Sequence, residues 1–147
     1  PATSDDIEAV NWAQAEYAAR SSAVDYAKSV AAAAMFRRAL AQWWHGGFDL
    51  LLTPTLARIP FPVGSFTNDP SDPMKPSRLA SEWVRFTAQF NMSGQPAISL
   101  PLGRTATGLP IGVQLVAAYG REDVLLRVAA QLETAAPWKS FTPTALG

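Results

Sequence analysis

Two short runs in the second half of this 147-residue chain constrain its fold more than any other feature. In residues 97–102 and again in residues 111–116, an apolar side chain recurs at every second position, which is the period of a β-strand. Glycine and proline residues border both runs, and such residues end strands and begin turns. The sequence therefore predicts two neighbouring strands joined by a loop and paired antiparallel. The alternating apolar residues are Ile98, Leu100 and Leu102 in the first run and Ile111, Val113 and Leu115 in the second.

Helical patterns fill the first third of the chain. Residues 1–46 are predicted to form two helices, of which the first starts within residues 3–6 and runs to about residue 20. The second is expected to begin at Ala23, because Ser22 and Asp25 have the spacing of a capping box, and to end at Gly46. A stripe of apolar residues along this second helix predicts a side that packs in the core. Its members are Val24, Ala27, Ala31, Met35, Ala39 and Trp43.

The middle of the chain combines one more strand with a proline-rich loop. Residues 48–53 form a near-continuous apolar run, which predicts a central or parallel strand covered on both faces. Six of the 12 prolines lie within residues 54–76, so we expect a long ordered loop there, either a functional lid or a plain surface excursion. Apolar residues at helical spacing predict helices over residues 79–91 and 121–136. Because strands alternate with helices outside the 97–116 pair, the predicted fold class is α/β with a mixed sheet packed by helices.

Composition excludes several classes of function. Lys plus Arg equals Asp plus Glu at 12 each, so no net charge attracts nucleic acid or an anionic membrane. The chain has no Cys, which leaves no disulfide frame, and its single His cannot build a zinc site without carboxylate ligands. We expect no metal and no cofactor. No apolar run approaches the roughly 20 residues of a membrane helix, and the N-terminus lacks the pattern of a signal peptide. This composition is compatible with a cytoplasmic protein.

Four segments occur in a fixed order along the chain. Residues 91–101 read N-x-S-G-x-P-A-x-S-x-P, and residues 108–116 read G-L-P-x-G-V-Q-L-V. Upstream, residues 49–55 read D-L-L-L-T-P-T, and in the last predicted helix residues 125–133 read L-L-R-V-A-A-Q-L-E, ahead of Pro137. In this order the segments resemble the C-terminal part of the amidase signature family, whose members cleave carboxamides with a Ser, Ser, Lys triad. The resemblance covers nearly the whole chain, because the four segments are distributed along it.

The resemblance implies that residues 1–147 are a single segment, the last third or so of an enzyme that hydrolyses a carboxamide C–N bond through an acyl-enzyme. In the family the triad lies upstream, in a Gly-Ser-Ser-Gly-Gly context that this chain lacks. The adjacent Ser21 and Ser22 are better explained as a helix cap, so we expect no catalytic residue here and no activity from this chain alone. The implied partners are the N-terminal portion of the same amidase and a small amide substrate; a homodimer remains open. The alternative is a non-catalytic binding module that keeps the amidase scaffold.

The resemblance also implies a position for the substrate pocket. In the resembling enzymes, the helix that leads into the N-x-x-G-x-P segment borders the channel for the acyl chain. Counting back from Asn91, the residues Ala88, Val84 and Ser81 lie three, seven and ten positions earlier, which places them on one helical stripe. Small side chains at 81 and 88 would leave volume, and Val84 would supply an apolar wall. Contact with another helix is the alternative explanation for this stripe.

The predicted strand over residues 48–53 needs cover on two sides. Four helices within this chain do not provide enough apolar surface for that purpose. We therefore expect the chain by itself to show a large exposed apolar face.

Overall fold

The computed structural model describes residues 3–138, and every structural statement below concerns that range. Two helices precede the first strand, two more separate it from the second, and the last two strands follow one another directly before the final helix. The helices are α1 (Ala9–Ala19), α2 (Ala23–His45), α3 (Lys75–Trp83), α4 (Ala88–Ser93) and α5 (Glu122–Ala135), and the strands are β1 (Leu50–Pro54), β2 (Ala97–Arg104) and β3 (Pro110–Ala117). The α/β class predicted from the sequence is confirmed.

The two N-terminal helices differ in how well the sequence predicts their first residue. Helix α2 begins at Ala23 as expected, because Ser22 Oγ accepts a hydrogen bond from the Asp25 amide at 3.1 Å and the Asp25 carboxylate accepts one from the Ser22 amide at 3.4 Å. Helix α1 begins at Ala9, later than predicted. The Asp6 carboxylate accepts hydrogen bonds from both the amide and the hydroxyl of Thr3, at 2.7 and 2.8 Å. This local side-chain pairing forms a turn in place of the first helical turn.

The sheet has the order β1-β3-β2, with both neighbours antiparallel to β3. Leu115 of β3 lies opposite Leu52 on one side and Ile98 on the other. The register between β2 and β3 shifts between Leu100 and Gly103, where a bulge interrupts the ladder. The predicted antiparallel pair of strands is confirmed.

The expectation of a central or parallel strand at residues 48–53 is wrong for the described part of the chain. Strand β1 is at an edge and antiparallel to β3, so adjacent strands are nowhere parallel within residues 3–138 and the sheet is not mixed there. The prediction fails on the order of the strands in the sheet and not on the direction in which they run. Strands β1 and β2 do run the same way, as a connection through helices favours, but the hairpin places β3 between them.

The core lies on the face of the sheet that α5 covers. Leu100, Leu115, Ala117 and Leu125 are buried together there. Because side chains alternate along a strand, Gln114 and Val116 point to the opposite face, and both are buried as well, Val116 completely. Helices α2 and α4 contact each other.

The helix predicted over residues 79–91 is two helices in the structure. Helix α3 starts earlier, at Lys75, because Pro76 is compatible with a first helical turn, which shortens the loop to residues 55–74. It ends at Trp83, and α4 starts only at Ala88. Between them the Phe86 carbonyl accepts a hydrogen bond from Gln114 Nε2 at 2.7 Å, so the middle strand of the sheet binds the backbone where the helix is interrupted.

Much apolar surface is exposed within residues 3–138, as the sequence predicts. The stripe on α2 contributes to it, since Val24 is 61% and Met35 is 71% exposed. The expectation that this stripe packs in the core is therefore wrong within the described residues. None of the helices described here has the length and apolar character to cross a membrane.

Candidate functional site

The turn from α4 into β2 brings three parts of the chain together. Gly94 ends α4 with a φ of 80°, and its amide donates to the Phe90 carbonyl at 2.8 Å. A side chain at this position would be strained by that φ, and its Cβ would lie 3.4 Å from the ring of Tyr119 and 4.0 Å from Arg37 Nη2. Glycine thus permits the close approach of α2 and of the β3–α5 turn, which contains Tyr119.

A cavity of about 340 Å³ lies beside this turn. One wall is a single face of α2, because residues 34, 37, 38 and 41 are spaced by three and four positions. The opposite wall is formed by the residues on either side of Gly94, and both of them are buried. The lining residues are Ala34, Arg37, Arg38, Ala41, Ser93, Gln95 and Tyr119.

Two polar groups define the chemistry of this cavity. Arg37 Nε donates a hydrogen bond to the Ser93 carbonyl at 3.3 Å, which links α2 to the end of α4. Gln95 is only 7% exposed, and its Oε1 atom is buried without a hydrogen-bond partner among the residues described. Leaving a buried acceptor unpaired costs about 1–3 kcal/mol. Within residues 3–138, the hydrogen bonding of the polar groups in this cavity is therefore incomplete.

A second polar cluster lies on the sheet face opposite α5. Gln114 Nε2 donates to Thr53 Oγ1 at 3.0 Å, across β3 and β1. Further along, the hydroxyls of Thr55 and Ser99 are 2.6 Å apart. They meet over Gly112, where an added Cβ would lie 2.8 Å from Thr55 Oγ1 and 2.9 Å from Ser99 Oγ. The glycine thus allows the two outer strands to be bridged across the middle one.

The proline-rich loop is anchored on Trp83. Phe61 stacks on the indole ring with centroids 3.7 Å apart, and the Trp83 Nε1 group donates to the Ile59 carbonyl at 2.7 Å. The guanidinium of Arg58 lies 5.1 Å from the centre of the same ring, in cation–π geometry. These contacts give the long loop the order that its sequence predicts. They do not distinguish a functional lid from a surface excursion.

The predicted pocket residues do not share one helical stripe. Val84 follows the end of α3 and Ala88 begins α4, so the break between these helices separates them, and the geometry expected from an unbroken helix is wrong. Ser81, Val84, Ala88 and Asn91 are all exposed. The Ser81 hydroxyl donates to the Arg78 carbonyl at 2.7 Å. Their part in substrate binding stays a prediction.

Sequence reasoning missed the residues that line the cavity. The spacing of Ala34, Arg37, Arg38 and Ala41 was the available signal, since it places them on one face of α2. The prediction for α2 rests on its apolar stripe alone. Gln95 and Tyr119 carried no local signal, because only the fold brings them to α2.

The adjacent serines have the structural role expected of them. Ser22 caps α2, and the Ser21 hydroxyl donates to the Tyr17 carbonyl at 3.5 Å. No group of three or more His, Asp or Glu side chains within residues 3–138 could hold a metal ion.

Two carboxyl groups whose pKa values are lowered by arginine lie at the surface, away from the cavity. Arg121, through its side-chain hydrogen bond, and Arg127 lower the pKa of Asp123 to about 2. In the same way the Arg78 guanidinium lowers the pKa of Asp72. These pairs stabilise the start of α5 and the approach to α3, and they have no evident part in catalysis.

Comparison with known proteins places this geometry in a family. Residues 6–126 match the amidase family. A 6-aminohexanoate-cyclic-dimer hydrolase from Paenarthrobacter ureafaciens is 40% identical over 151 residues, which cover 99% of this chain and 31% of that relative. A solved structure of 6-aminohexanoate cyclic dimer hydrolase complexed with substrate superimposes with a TM-score of 0.91 at 40% identity, over 100% of this chain and 32% of the other.

A bacterial aryl acylamidase of the amidase signature enzymes shares the fold alone, with a TM-score of 0.72 at 24% identity over 93% of this chain and 28% of that one. The chain thus spans about a third of the length of its curated relatives. The family match covers most of the chain and the identity reaches 40%, so this chain belongs to the amidase signature family.

Proposed function

We propose that this chain is the C-terminal segment of an amidase that hydrolyses a carboxamide C–N bond through an acyl-enzyme. The observation that carries the proposal is the 40% identity over 99% of the chain to a 6-aminohexanoate-cyclic-dimer hydrolase. The Ser, Ser, Lys triad belongs to the part of the enzyme outside this chain. The substrate is a small non-peptide amide, for which amides of 6-aminohexanoate are the first candidates because of that relative's name.

The enzyme acts in the cytoplasm without a cofactor, and its N-terminal portion is the partner of this chain. The exposed stripe on α2 and the outer edge of β1 support such a partner. β1 pairs only with β3 among the strands described, so its other edge offers unpaired backbone groups. The stripe offers apolar surface, and burying it stabilises by about 25 cal/mol per Å². Both features fit a segment whose folding is completed by the remaining two thirds of the enzyme.

We retain Ser81, Val84, Ala88 and Asn91 as candidates for the wall of the acyl pocket. They are exposed around the break between α3 and α4, so no other part of residues 3–138 covers their side chains. Replacing Ala88 by Trp in the full enzyme should lower kcat/KM for long acyl amides about tenfold more than for short ones. Equal losses for both lengths, or none, would assign these residues to scaffold packing.

The amidase proposal is tested by a hydrolysis screen of the full-length protein against amides of graded acyl length. We expect turnover of at least one aliphatic amide, and labelling of one serine outside residues 1–147 by a serine-directed probe. Residues 1–147 alone should neither turn over amides nor react with the probe. If the full-length protein binds amides but hydrolyses none, the chain is instead part of a binding module.

A further inference from the structure

The cavity between α2 and the α4–β2 turn carries positive charge, and no acidic side chain of residues 3–138 lines it. Both Arg37 and Arg38 line it, and none of its lining residues is acidic. Within residues 3–138 neither arginine forms an ion pair. The ion pairs of this part of the chain are Arg58 with Glu82, Arg78 with Asp72, and both Arg121 and Arg127 with Asp123.

Arg37 is held in a defined position. Its Nε atom is used by the Ser93 carbonyl, at 3.3 Å, which leaves the two terminal nitrogens of the guanidinium for another acceptor. Nη2 lies 4.0 Å from the point where Gly94 would carry a Cβ, so the group is close to the turn. A guanidinium that is already fixed through one nitrogen loses little conformational entropy when its other two nitrogens bind a planar anion.

The rest of the lining leaves room for such an anion. Ala34 and Ala41 are short, and the volume of about 340 Å³ is within the range of small-molecule sites. Gln95 adds an amide to the wall, and its Oε1 has no partner in the described chain. A carboxylic compound that also carries an amide or hydroxyl hydrogen could supply the missing donor.

We propose that this cavity binds a free carboxylate on the amide substrate. Arginine recognises carboxylates because its planar donors match the two oxygens. The inference rests on the proposed amidase function and assigns Arg37 as the residue that selects acidic amides over neutral ones.

The test compares two substrates of the full-length enzyme, adipamic acid and adipamide, which differ in one carboxylate. Arg37→Gln should raise KM for adipamic acid about tenfold, the loss expected for one charge-assisted hydrogen bond, and leave KM for adipamide unchanged. Arg38→Gln should act in the same direction with a smaller change. Arg20→Gln is the matched control, because Arg20 is exposed at the end of α1 and does not line the cavity.

A binding measurement separates this inference from the amidase proposal. Titration calorimetry with adipate should show binding to the wild-type enzyme that weakens about tenfold in Arg37→Gln, whether or not amides are hydrolysed. Absence of adipate binding, or equal changes in KM for both substrates, would overturn the carboxylate site. A lower Tm of Arg37→Gln together with no adipate binding would show that the arginine instead binds a carboxylate of the enzyme's own N-terminal portion. Adipate binding through Arg37 without any amide turnover would contradict only the amidase proposal.

Discussion

The β2–β3–α5 unit and helix α2 bury their apolar residues to very different extents. Leu115 in the middle strand is 3% exposed and packs with Leu100 and Leu125, all within the last 40 or so residues of the described chain. In α2 most of the apolar stripe faces solvent, with Met35 71% exposed, and only Trp43 near its end is half-buried, stacked on Phe48. The first unit forms its own core. The exposed apolar residues of α2, in contrast, lack packing partners among the described residues. The burial of apolar residues therefore distinguishes a unit that packs against itself from a helix whose apolar side is left uncovered by this segment.

The largest effect is expected from a cavity in the self-contained core. Leu115→Ala in the full-length enzyme should lower the free energy of unfolding by about 2–5 kcal/mol, because the buried side chain leaves an unfilled space. Denaturant unfolding measures the change. Gln131→Ala on α5 is the control, since Gln131 is polar and exposed and should change stability by less than about 0.5 kcal/mol. Similar losses for both variants would mean that this unit has no core of its own.

The second prediction tests whether the α2 stripe becomes buried. Met35→Ala should destabilise the full-length enzyme by about 2–3 kcal/mol if the N-terminal portion covers the stripe. Met35 is exposed within residues 3–138, but such cover would make it a core residue of the whole enzyme. Ala substitution of Tyr26, which is exposed on the same helix but outside the stripe, provides the comparison. A change below about 0.5 kcal/mol at Met35 would leave the stripe in solvent and contradict the proposed partner.

The third prediction concerns the bridge over Gly112. Gly112→Ala should cost about 1–3 kcal/mol, because its Cβ would lie within 3 Å of both hydroxyl oxygens and force the outer strands apart. Adding Ser99→Ala removes one of these oxygens and should recover part of the loss, which a double-mutant cycle measures. Gly103→Ala is a milder case, since its Cβ would meet Ile111 at 3.4 Å. Additive losses at 112 and 99 would show that the clash is not the cause.

The smallest effect is the pH dependence of the Asp123 pairs. Because its pKa is lowered from 3.8 to about 2 in the folded protein, the stabilisation is present above pH 4 and is lost as the pH falls through about 2. The difference in Tm between wild type and Asp123→Asn should hence be constant from pH 7 to 5 and shrink below pH 4. Glu122→Gln, at the neighbouring position, should show a smaller difference. A difference that grows on acidification would reverse the assigned sign.

The sequence by itself determined the features that depend on neighbouring residues. The alternating runs that became β2 and β3, the cap at Ser22, and the end of α4 at Gly94 follow from local periodicity and from backbone groups within a few residues. The resemblance to amidases came from segments of the same kind, placed in order. These elements could be predicted because nothing distant competes with their local hydrogen bonds.

Only the tertiary structure decided where those elements meet. The break before α4 coincides with a hydrogen bond from Gln114 to the Phe86 carbonyl, 28 positions away, and the cavity depends on Arg37 reaching Ser93, 56 positions away. Likewise, within residues 3–138, β1 pairs antiparallel with β3 and not parallel with β2, because the hairpin places β3 between them. Such contacts join residues that have no local relation, so their energies appear only once the chain has folded.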